Sequence, residues 1–470
     1  MGYRFDDVFC KYVTVNLAVV PTRRDTFPDP KDALAHKNEV MPVLLQKLNA
    51  IHDVNVITVD GVVPDGMLCE ESYVQAVEDY LADKHVDALF IPHMNFGQEE
   101  SVARLAKHLG VPVLLWGPRD GKKDVVDDPR GLRMFDTQCG MFATSRALLR
   151  YDVPFTYIEN CWLDDPALDE GLDRFIRVAS MVKAFRGMRV LQISTRPRQF
   201  LSVKVNEGEL FEKFGIEIVP VPGIVYTDVV DDLLANHRDK IDETIAEFEK
   251  DADFTGANDH DKEIVAASFL AMSQLAKQLN CVAVAAECWT VNPTKYHVSP
   301  CFAHAELTQA GLPVACECDI NGAITSVLLQ AATRRETSNF FADITVRHPS
   351  NDNAELMWHC GPYPPELARD GKAVFTSGHS CLELKHGELT MTRFDGDKGR
   401  YVMFGDTGHA VDGPTTFGSY VWLETRNWVE WEKKLMYGPY IHHSIGAHGN
   451  YKEAIREACR YLGIDFDSVD

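Results

Sequence analysis

The sequence contains no long apolar run. None of its segments approaches the roughly 18 consecutive apolar residues of a membrane-spanning helix. Near the start, charges at Arg4, Asp6, Asp7 and Lys11 precede an apolar run that is too short and too late for a secretory signal. We therefore expect neither a membrane span nor a secretory leader.

Cysteine is sparse. The 12 cysteines are scattered over 470 residues, whereas disulfide frameworks are typical of short secreted chains. Cys316 and Cys318 form a C-x-C pair without the second pair of a zinc ribbon, so we interpret both as core residues and expect no thiolate-rich zinc chemistry. A reducing cytoplasm is the simplest location for such a chain.

Positive charge is also scarce. The chain has 47 Lys and Arg residues against 70 Asp and Glu residues, which gives a formal net charge of −23 at pH 7. Such a chain repels a phosphate backbone and an anionic lipid surface. Nucleic acids and membranes are therefore poor candidate partners.

Several catalytic signatures are missing. The chain has no G-x-G-x-x-G at the start of a helix, no phosphate-binding P-loop and no G-x-S-x-G elbow. Nicotinamide-dependent, ATP-dependent and serine-hydrolase chemistry therefore lack their usual motifs.

The pattern that is present predicts an α/β protein with more than one core. Short β-rich runs alternate with amphipathic stretches over residues 1–175 and again over 176–337, which indicates two Rossmann-like parallel βα domains. From 338 to 470 the chain reads as short strands separated by Gly, Asp, Asn and Pro, followed by a final helix. We expect this third domain to be an antiparallel, β-barrel-like domain.

Three loops of the first domain are candidate substrate loops. Open parallel sheets bind ligands at the carboxyl ends of their strands. The segments that follow predicted strands there are TRRDTF, HMNFGQEE and GPRD.

Two acidic residues stand out in apolar surroundings. Glu317 ends a buried strand in VACECDING, and Asp343 lies between apolar runs in NFFADITVR. A buried carboxylate must be paired, protonated or bound to a metal, because burying a bare charge costs several kcal/mol. Taken singly, Glu317 is equally well explained by a structural ion pair, and Asp343 is better explained as a turn or strand-edge residue.

The histidines near the end form a second cluster. His442, His443 and His448 lie within HHSIGAHG, and His359 lies in MWHCGPYP. Single histidines are most often structural, but clusters are frequent metal ligands. Two carboxylates with one or two imidazoles suit Mn²⁺, Mg²⁺ or Co²⁺ in octahedral geometry.

These segments resemble the L-fucose isomerase and L-arabinose isomerase superfamily over most of the chain, most clearly from Cys281 onwards. Glu317 in CECDINGAI matches the metal-binding Glu of that family, and Asp343 in FFADITV matches its second carboxylate. The family's metal histidine lies in a pair ahead of a Leu-x-Ile segment, and gap-free counting from Leu462 selects His443. His442 is then expected to face the other side of the strand, and His448 to lie in a turn.

The resemblance also nominates substrate-binding residues. TRRDTF resembles the loop that offers an Arg to a neighbouring subunit's site, which points to Arg24 or Arg23, and MNFG resembles an aromatic substrate loop, which points to Phe96. Trp289 and His359 are further candidate substrate-binding residues, and His359 also occupies the place of an additional metal histidine of arabinose isomerases. Their segments, AECWT and HCGPYP, depart from both enzymes. The identity of the sugar therefore does not carry over.

The function implied by this resemblance is the interconversion of an aldose and a ketose through a cis-enediol. Glu317 and Asp343 are expected to transfer protons and, with His443, to bind Mn²⁺, with Mg²⁺ or Co²⁺ as alternatives. The family assembles as trimers or homohexamers with sites at subunit interfaces. Two alternatives stay open: a non-catalytic sugar-binding or regulatory protein, and a metal-dependent lyase or hydrolase acting on a sugar acid.

Overall fold

A computed structural model describes residues 5–26, 30–121 and 133–469. Within this part of the chain, no helix combines the length and the apolar character needed to cross a membrane. All 12 cysteines are free thiols, as expected from their scattered positions. Phe27, the last residue of TRRDTF, lies outside the described residues.

The chain forms two compact units. The first unit comprises Tyr12–Lys183 together with Arg460–Leu462. The second unit comprises the described residues before Tyr12, Ala184–Cys459 and the described residues from Gly463 onwards. The second and third predicted segments thus share one unit, and their division into separate domains stays a prediction.

The first unit contains a five-stranded parallel sheet in the order β2-β1-β3-β4-β5. Its central strands are runs of Val, Leu, Ile and Ala that are buried on both faces, as parallel strands covered by helices require. The strands are β1 (Val15–Val19), β2 (Val54–Thr58), β3 (Ala88–Pro92), β4 (Val113–Trp116) and β5 (Thr156–Tyr157). The helices of this part are α2 (Pro30–Ala50), α3 (Val74–Leu81), α4 (Glu99–Leu109), α5 (Thr137–Arg150) and α6 (Pro166–Phe185). A short α1 (Asp6–Phe9) at the start of the chain belongs to the second unit.

The candidate substrate loops follow the carboxyl ends of this sheet. In this strand order the direction of winding reverses between β1 and β3, which is where ligands bind in open α/β sheets. TRRDTF follows β1, HMNFGQEE follows β3 and GPRD follows β4. The predicted location of these loops is therefore confirmed.

The second unit contains a four-stranded parallel sheet in the order β10-β9-β6-β7. The strands are β6 (Arg189–Ile193), β7 (Glu217–Val221), β9 (Ala283–Ala286) and β10 (Val314–Cys316). The helices of this part are α7 (Glu207–Phe214), α8 (Gly223–Asn236), α9 (Arg238–Asp251), α10 (Asp259–Gln278), α11 (Val291–Tyr296), α12 (Cys301–Gln309) and α13 (Ile320–Thr333). Glu287 and Glu317 directly follow β9 and β10, so both carboxylates lie at the carboxyl edge of the sheet.

Six antiparallel strands of the second unit close into a barrel, because β16 pairs with both β15 and β17. They are β11 (Phe340–Arg347), β12 (Ala354–His359), β15 (Glu388–Asp397), β16 (Arg400–Val411), β17 (Ser419–Thr425) and β18 (His443–His448). The adjoining elements are β8 (Ala252–Asp253), β13 (Ala373–Thr376), β14 (His379–Glu383), β19 (Asp465–Asp467), α14 (Trp428–Tyr437) and α15 (Lys452–Leu462). The predicted fold class is confirmed.

Helix α13 joins the parallel sheet to the barrel within the second unit. Every residue of Ile320–Thr333 is buried, because the helix packs against β9 and β10 on one side and against β15 and β18 on the other. A helix that is buried on every face lies in the core rather than at the surface. Its N-terminus therefore holds the turn containing Glu317 close to the barrel.

Candidate active site

Glu317 lies in a sharp turn between β10 and α13. Its backbone φ is 64° and that of Cys318 is 55°, so two consecutive residues with side chains adopt the left-handed conformation. Such residues cost about 1–3 kcal/mol each and cluster at functional sites. The turn buries the Glu317 carboxylate against Trp289, whose Nε1–H donates to Glu317 Oε1 at 2.9 Å.

Asp343 and His443 lie opposite each other on neighbouring barrel strands. The antiparallel register of β11 and β18 pairs these two residues directly, and directly opposed residues project their side chains on the same face. His443 Nε2 lies 3.5 Å from Asp343 Oδ1 and 3.1 Å from Glu317 Oε2. The three residues predicted to bind the metal therefore converge on the fully buried ring of His443.

Asp319 holds the other nitrogen of this ring. His443 Nδ1 lies 2.8 Å from Asp319 Oδ2. The same carboxylate accepts hydrogen bonds from Arg393, with Nη2 at 3.0 Å, and from the backbone N–H of Gly322, so that it also caps α13. Burial opposes ionisation of Asp319, but Arg393 and His443 outweigh burial and hold the pKa of the carboxyl well below its usual range. An ionised Asp319 therefore keeps the hydrogen of His443 on Nδ1 and directs Nε2 towards Glu317 and Asp343.

The remaining histidines differ in their relation to this cluster. His359, at the end of β12, is buried, and its Nε2 lies 3.9 Å from Asp343 Oδ1. His442 Nε2 lies at the same distance from that oxygen, 3.9 Å. The expectation that His442 faces away is wrong, because it precedes the first residue of β18 and does not follow the alternation of the strand.

His448 lies at the far end of β18, five residues or roughly 16 Å along the strand from His443. Its Nε2 lies 2.9 Å from the backbone oxygen of Lys385. The predicted turn is wrong, since His448 is the last residue of the strand and pairs with Leu389. Of the two histidines that the sequence offered, the one near the carboxylates is His443.

Four buried side-chain atoms in this cluster lack a hydrogen-bond partner: Glu317 Oε2, Asp343 Oδ1, His359 Nε2 and His443 Nε2. The 3.1 Å approach of His443 to Glu317 is close, but it is not aligned as a hydrogen bond. Each buried polar atom left in this way costs about 1–3 kcal/mol. Nitrogen and carboxylate oxygen ligands of this kind suit a divalent cation such as Mn²⁺, so the residues present fit the metal that the resemblance implies.

The electrostatics of the cluster separate its two carboxyl groups. Burial raises the pKa of Asp343 above its usual value. For Glu317 burial acts in the same direction, but His443 outweighs it and the pKa is lowered. Burial opposes charging of His443, yet Asp319 and Glu317 outweigh it and raise the pKa of the ring. The site therefore attracts positive charge, which either a proton or a metal ion can supply.

Aromatic rings border the cluster. Phe200, in the loop after β6, stacks on His443 with ring centroids 5.4 Å apart and planes inclined by 18°. Trp289 lies edge-on to Phe200 at 5.5 Å, and Phe341 lies edge-on to His443 at 4.8 Å. A few convergent polar groups lined by aromatic faces are typical of small-molecule sites.

Arg24 and Phe96, the two remaining predicted substrate-binding residues, lie together in the first unit. The guanidinium carbon of Arg24 lies 3.8 Å from the centroid of the Phe96 ring. Asn95 fixes this arrangement, because its Oδ1 accepts from the backbone N–H of Arg24 at 2.8 Å and its Nδ2 donates to the backbone oxygen of Arg24 at 3.0 Å. Both arginines pair with acids, Arg23 with Asp25 and Asp65 and Arg24 with Glu99 at 3.2 Å. The Arg24 side chain is 26% exposed against 7% for Arg23, which makes Arg24 the more accessible candidate.

The sequence analysis missed Asp319, Arg393 and Phe200. Asp319 stands at the boundary of a predicted helix, which is a capping signal that could have identified it. Arg393 is a charged residue inside the apolar strand LTMTRFD, a pattern that requires a buried partner. Phe200 follows β6 in STRPRQF, at the edge of the sheet where ligands bind.

Comparison with known families accounts for both ends of the chain. Residues 18–186 match the model of the fucose/sulfoquinovose isomerase N-terminal domain, and residues 365–470 match the L-fucose isomerase C-terminal domain. Together they cover more than half of the chain and define a sugar isomerase of the aldose–ketose class. The chain belongs to the fucose/sulfoquinovose isomerase family, in agreement with the resemblance seen in its residues.

Individual relatives are distant. The sulfoquinovose isomerase of Priestia aryabhattai is 22% identical over 423 residues, which span 86% of this chain and 90% of the relative. That of Alkalicoccus urumqiensis is 23% identical over 398 residues, 82% and 86% of the two chains. A periplasmic solute-binding protein of Actinobacillus succinogenes with bound D-allose covers 69% of this chain and 93% of its own at 13% identity, but its TM-score of 0.18 is too low to support an argument.

Proposed function

We propose that the second unit interconverts an aldose and a ketose with the help of a divalent cation held by Glu317, Asp343 and His443. Mn²⁺ is the first candidate, and Mg²⁺ and Co²⁺ are alternatives. The observation that carries the proposal is the convergence of four buried nitrogen and oxygen atoms without hydrogen-bond partners. A sugar-binding protein has no need of such a charged cluster, because it costs stability unless a cation compensates it.

The bound cation would polarise the substrate carbonyl and stabilise negative charge on the substrate oxygens. Glu317 and Asp343 carry the protons. One carboxylate removes the proton from C2 of the open-chain aldose while the oxygen on C1 gains a proton, which gives a cis-enediol. Return of a proton to C1 and loss of the proton on O2 give the ketose. Two carboxyl groups whose pKa values are pushed apart suit transfer in both directions.

Neighbouring residues orient these groups. Trp289 donates a hydrogen bond to Glu317 Oε1, which leaves Oε2 as the oxygen available for proton transfer. Asp319 fixes the ring of His443 from behind. Phe200 provides an apolar face beside that ring, against which the C–H groups of a sugar can pack.

The first substrate to test is a sulfonated hexose. The relatives described above are sulfoquinovose isomerases, and the STRPRQF loop that carries Phe200 also carries an exposed Arg198. A guanidinium can bind a planar or tetrahedral oxyanion through two hydrogen bonds. We further propose that Arg24 and Phe96 complete the site of a neighbouring subunit in a trimer or hexamer.

The test is a substrate panel on the metal-free and the Mn²⁺-loaded full chain. Sulfoquinovose, L-fucose and L-arabinose are incubated with each form, and ketose formation is followed by NMR. We expect turnover only with the cation, and a loss of about 10²–10⁴-fold in Glu317→Gln, because general acid–base groups contribute that much. His448→Ala serves as the matched control. Sugar binding without turnover would favour the sugar-binding alternative, and a product of different composition would favour the lyase or hydrolase.

A further inference from the structure

A cluster of sulfur and nitrogen ligands lies beside the candidate active site. Cys301, Cys360 and His379 each offer one ligand atom, and these three atoms lie within 4.8 Å of one another. The two sulfur atoms are 3.4 Å apart. None of these residues belongs to the set of carboxylates and histidines described above.

The backbone holds the three residues in place. Cys301 begins α12, Cys360 follows β12 and His379 begins β14. The N–H of Phe302, next to Cys301, donates to the oxygen of Gly378 at 2.7 Å.

A second backbone bond joins the other pair of segments. The N–H of Ser380 donates to the oxygen of Gly361 at 3.0 Å. A Cβ atom at Gly361 would lie 2.7 Å from Cβ of His379, so only glycine allows this approach. The positions of the ligands are therefore set by the fold before any ligand binds.

Cys360 Sγ also contacts His359 Nδ1 at 3.2 Å, and the other two side chains of the cluster are weakly bonded. Nδ1 of His379 is buried and makes no hydrogen bond. The Cys301 side chain is buried at 2% exposure, and its Sγ faces that of Cys360. Thiols are weak donors and acceptors, so this contact contributes little to stability.

We propose that Cys301, Cys360 and His379 form a second cation site, specific for a thiophilic divalent ion of the Zn²⁺ class. Two sulfur ligands and one imidazole, with a fourth position for water, are a recognised tetrahedral donor set for Zn²⁺. With Zn–S bonds of about 2.3 Å in tetrahedral geometry, the two sulfur atoms lie about 3.8 Å apart. The distance of 3.4 Å in the structure requires a smaller adjustment than closure to a disulfide of about 2.05 Å, and a disulfide would leave His379 unexplained.

The two sites differ in ligand chemistry and are connected through one residue. Glu317, Asp343 and His443 offer mainly oxygen, whereas the new site offers mainly sulfur, so the two select different ions. His359 Nδ1 lies 3.2 Å from Cys360 Sγ, and its Nε2 lies 3.9 Å from Asp343 Oδ1. An ion on Cys360 would fix the position of His359. Any effect of this on turnover rests on the proposed function.

Spectroscopic titration of the reduced, metal-free full chain with Co²⁺ tests the site without reference to activity. Thiolate bound to Co²⁺ gives a charge-transfer band in the near ultraviolet, which oxygen and nitrogen ligands do not give. With excess Mg²⁺ present to occupy the oxygen-rich site, we expect this band to saturate at one equivalent of Co²⁺ and to disappear on addition of Zn²⁺. It should vanish in Cys301→Ser and Cys360→Ser, weaken or shift in His379→Gln, and persist in Glu317→Gln and in the control Cys139→Ser.

Cys360 and His379 are only partly buried, so their variants keep the test informative if Cys301→Ser does not fold. The absence of the band from the reduced wild-type chain would overturn the proposal, as would a band that survives in both Cys360→Ser and His379→Gln. Freshly isolated protein that contains a Cys301–Cys360 disulfide and binds no Co²⁺ after reduction would also overturn it. If the wild-type chain shows the band but has no isomerase activity, only the proposed function is contradicted.

Discussion

Replacing Asp319 by Asn separates the two tasks of this carboxylate. The amide keeps nearly the same shape and still caps α13, since Asn is as good a capping residue as Asp. It loses the negative charge that holds Arg393 and the Nδ1–H of His443. We therefore expect two effects, one on stability and one on metal binding.

The magnitudes follow from the contacts. Removing one partner of a buried ion pair costs about 3–5 kcal/mol. Arg393 keeps its contact with Asp395, at 3.0 Å, so we expect the lower end, about 3 kcal/mol. Loss of an orienting carboxylate behind a ligating histidine weakens metal binding by about 10–100-fold, which corresponds to about 1.4–2.7 kcal/mol.

Asp395→Asn is the matched control, because Asp395 binds Arg393 but does not contact His443. Thermal unfolding and Mn²⁺ titration by calorimetry are measured for both variants. Both should be less stable, but only Asp319→Asn should lose Mn²⁺ affinity. Equal Mn²⁺ affinities in the two variants would refute the reasoning that Asp319 orients His443.

The stability difference between Asp319→Asn and the wild type should also depend on pH. The folded-state pKa of Asp319 is depressed, with burial opposing and Arg393 and His443 favouring ionisation. The contribution of ionised Asp319 to the stability of the fold is therefore fully present above the ordinary carboxyl pKa of 3.8. It is lost as the pH falls through the lower pKa of the folded state. We expect the two unfolding temperatures to converge in strong acid.

Three further predictions address the metal, the assembly and a buried acid. His443→Ala should lose bound Mn²⁺ and turnover together, whereas His448→Ala should keep stoichiometric metal; the opposite result in elemental analysis would exchange their roles. Light scattering should show a trimer or hexamer, and a fully active monomer at all concentrations would contradict the assignment of Arg24 to a neighbour's site. Burial raises the pKa of Glu355 to about 7. The neutral carboxyl is therefore buried without a charge penalty below its ordinary pKa of 4.5, and the stability of the fold decreases as the pH rises from there through about 7. Glu355→Gln should therefore be more stable than the wild type at pH 8, by roughly 1–2 kcal/mol because solvent screens part of the effect, and equally stable at pH 4; equal unfolding temperatures at both pH values would show that the buried carboxyl is compensated.

Much of the fold could be predicted from local sequence. Short runs of Val, Ile and Ala that alternate with amphipathic segments can bury their apolar faces only in layered sheets and helices. Acidic residues at the ends of such runs, Glu317 above all, must then lie at the carboxyl edge of a sheet. The resemblance selected Asp343 and His443 as partners of Glu317, and the structure brings both to Glu317.

Other features depended on contacts between distant parts of the chain. The register of β11 and β18 places Asp343 opposite His443, and no local pattern specifies how two strands a hundred residues apart align. The wrong predictions for His442 and His448 have the same origin. The exact start and end of β18 decide which side chains alternate between the two faces of the strand and which residues lie outside it.

The sequence by itself determined which segments had to be buried and revealed some of the charges within them, such as Glu317, because periodicity and composition act within a few residues. Only the tertiary structure decided which of those groups meet. Arg393 reaches Asp319 from 74 positions along the chain, and Cys360 reaches Cys301 from 59. Such contacts form when whole elements pack, and packing is set by the shapes of complete surfaces rather than by any short segment.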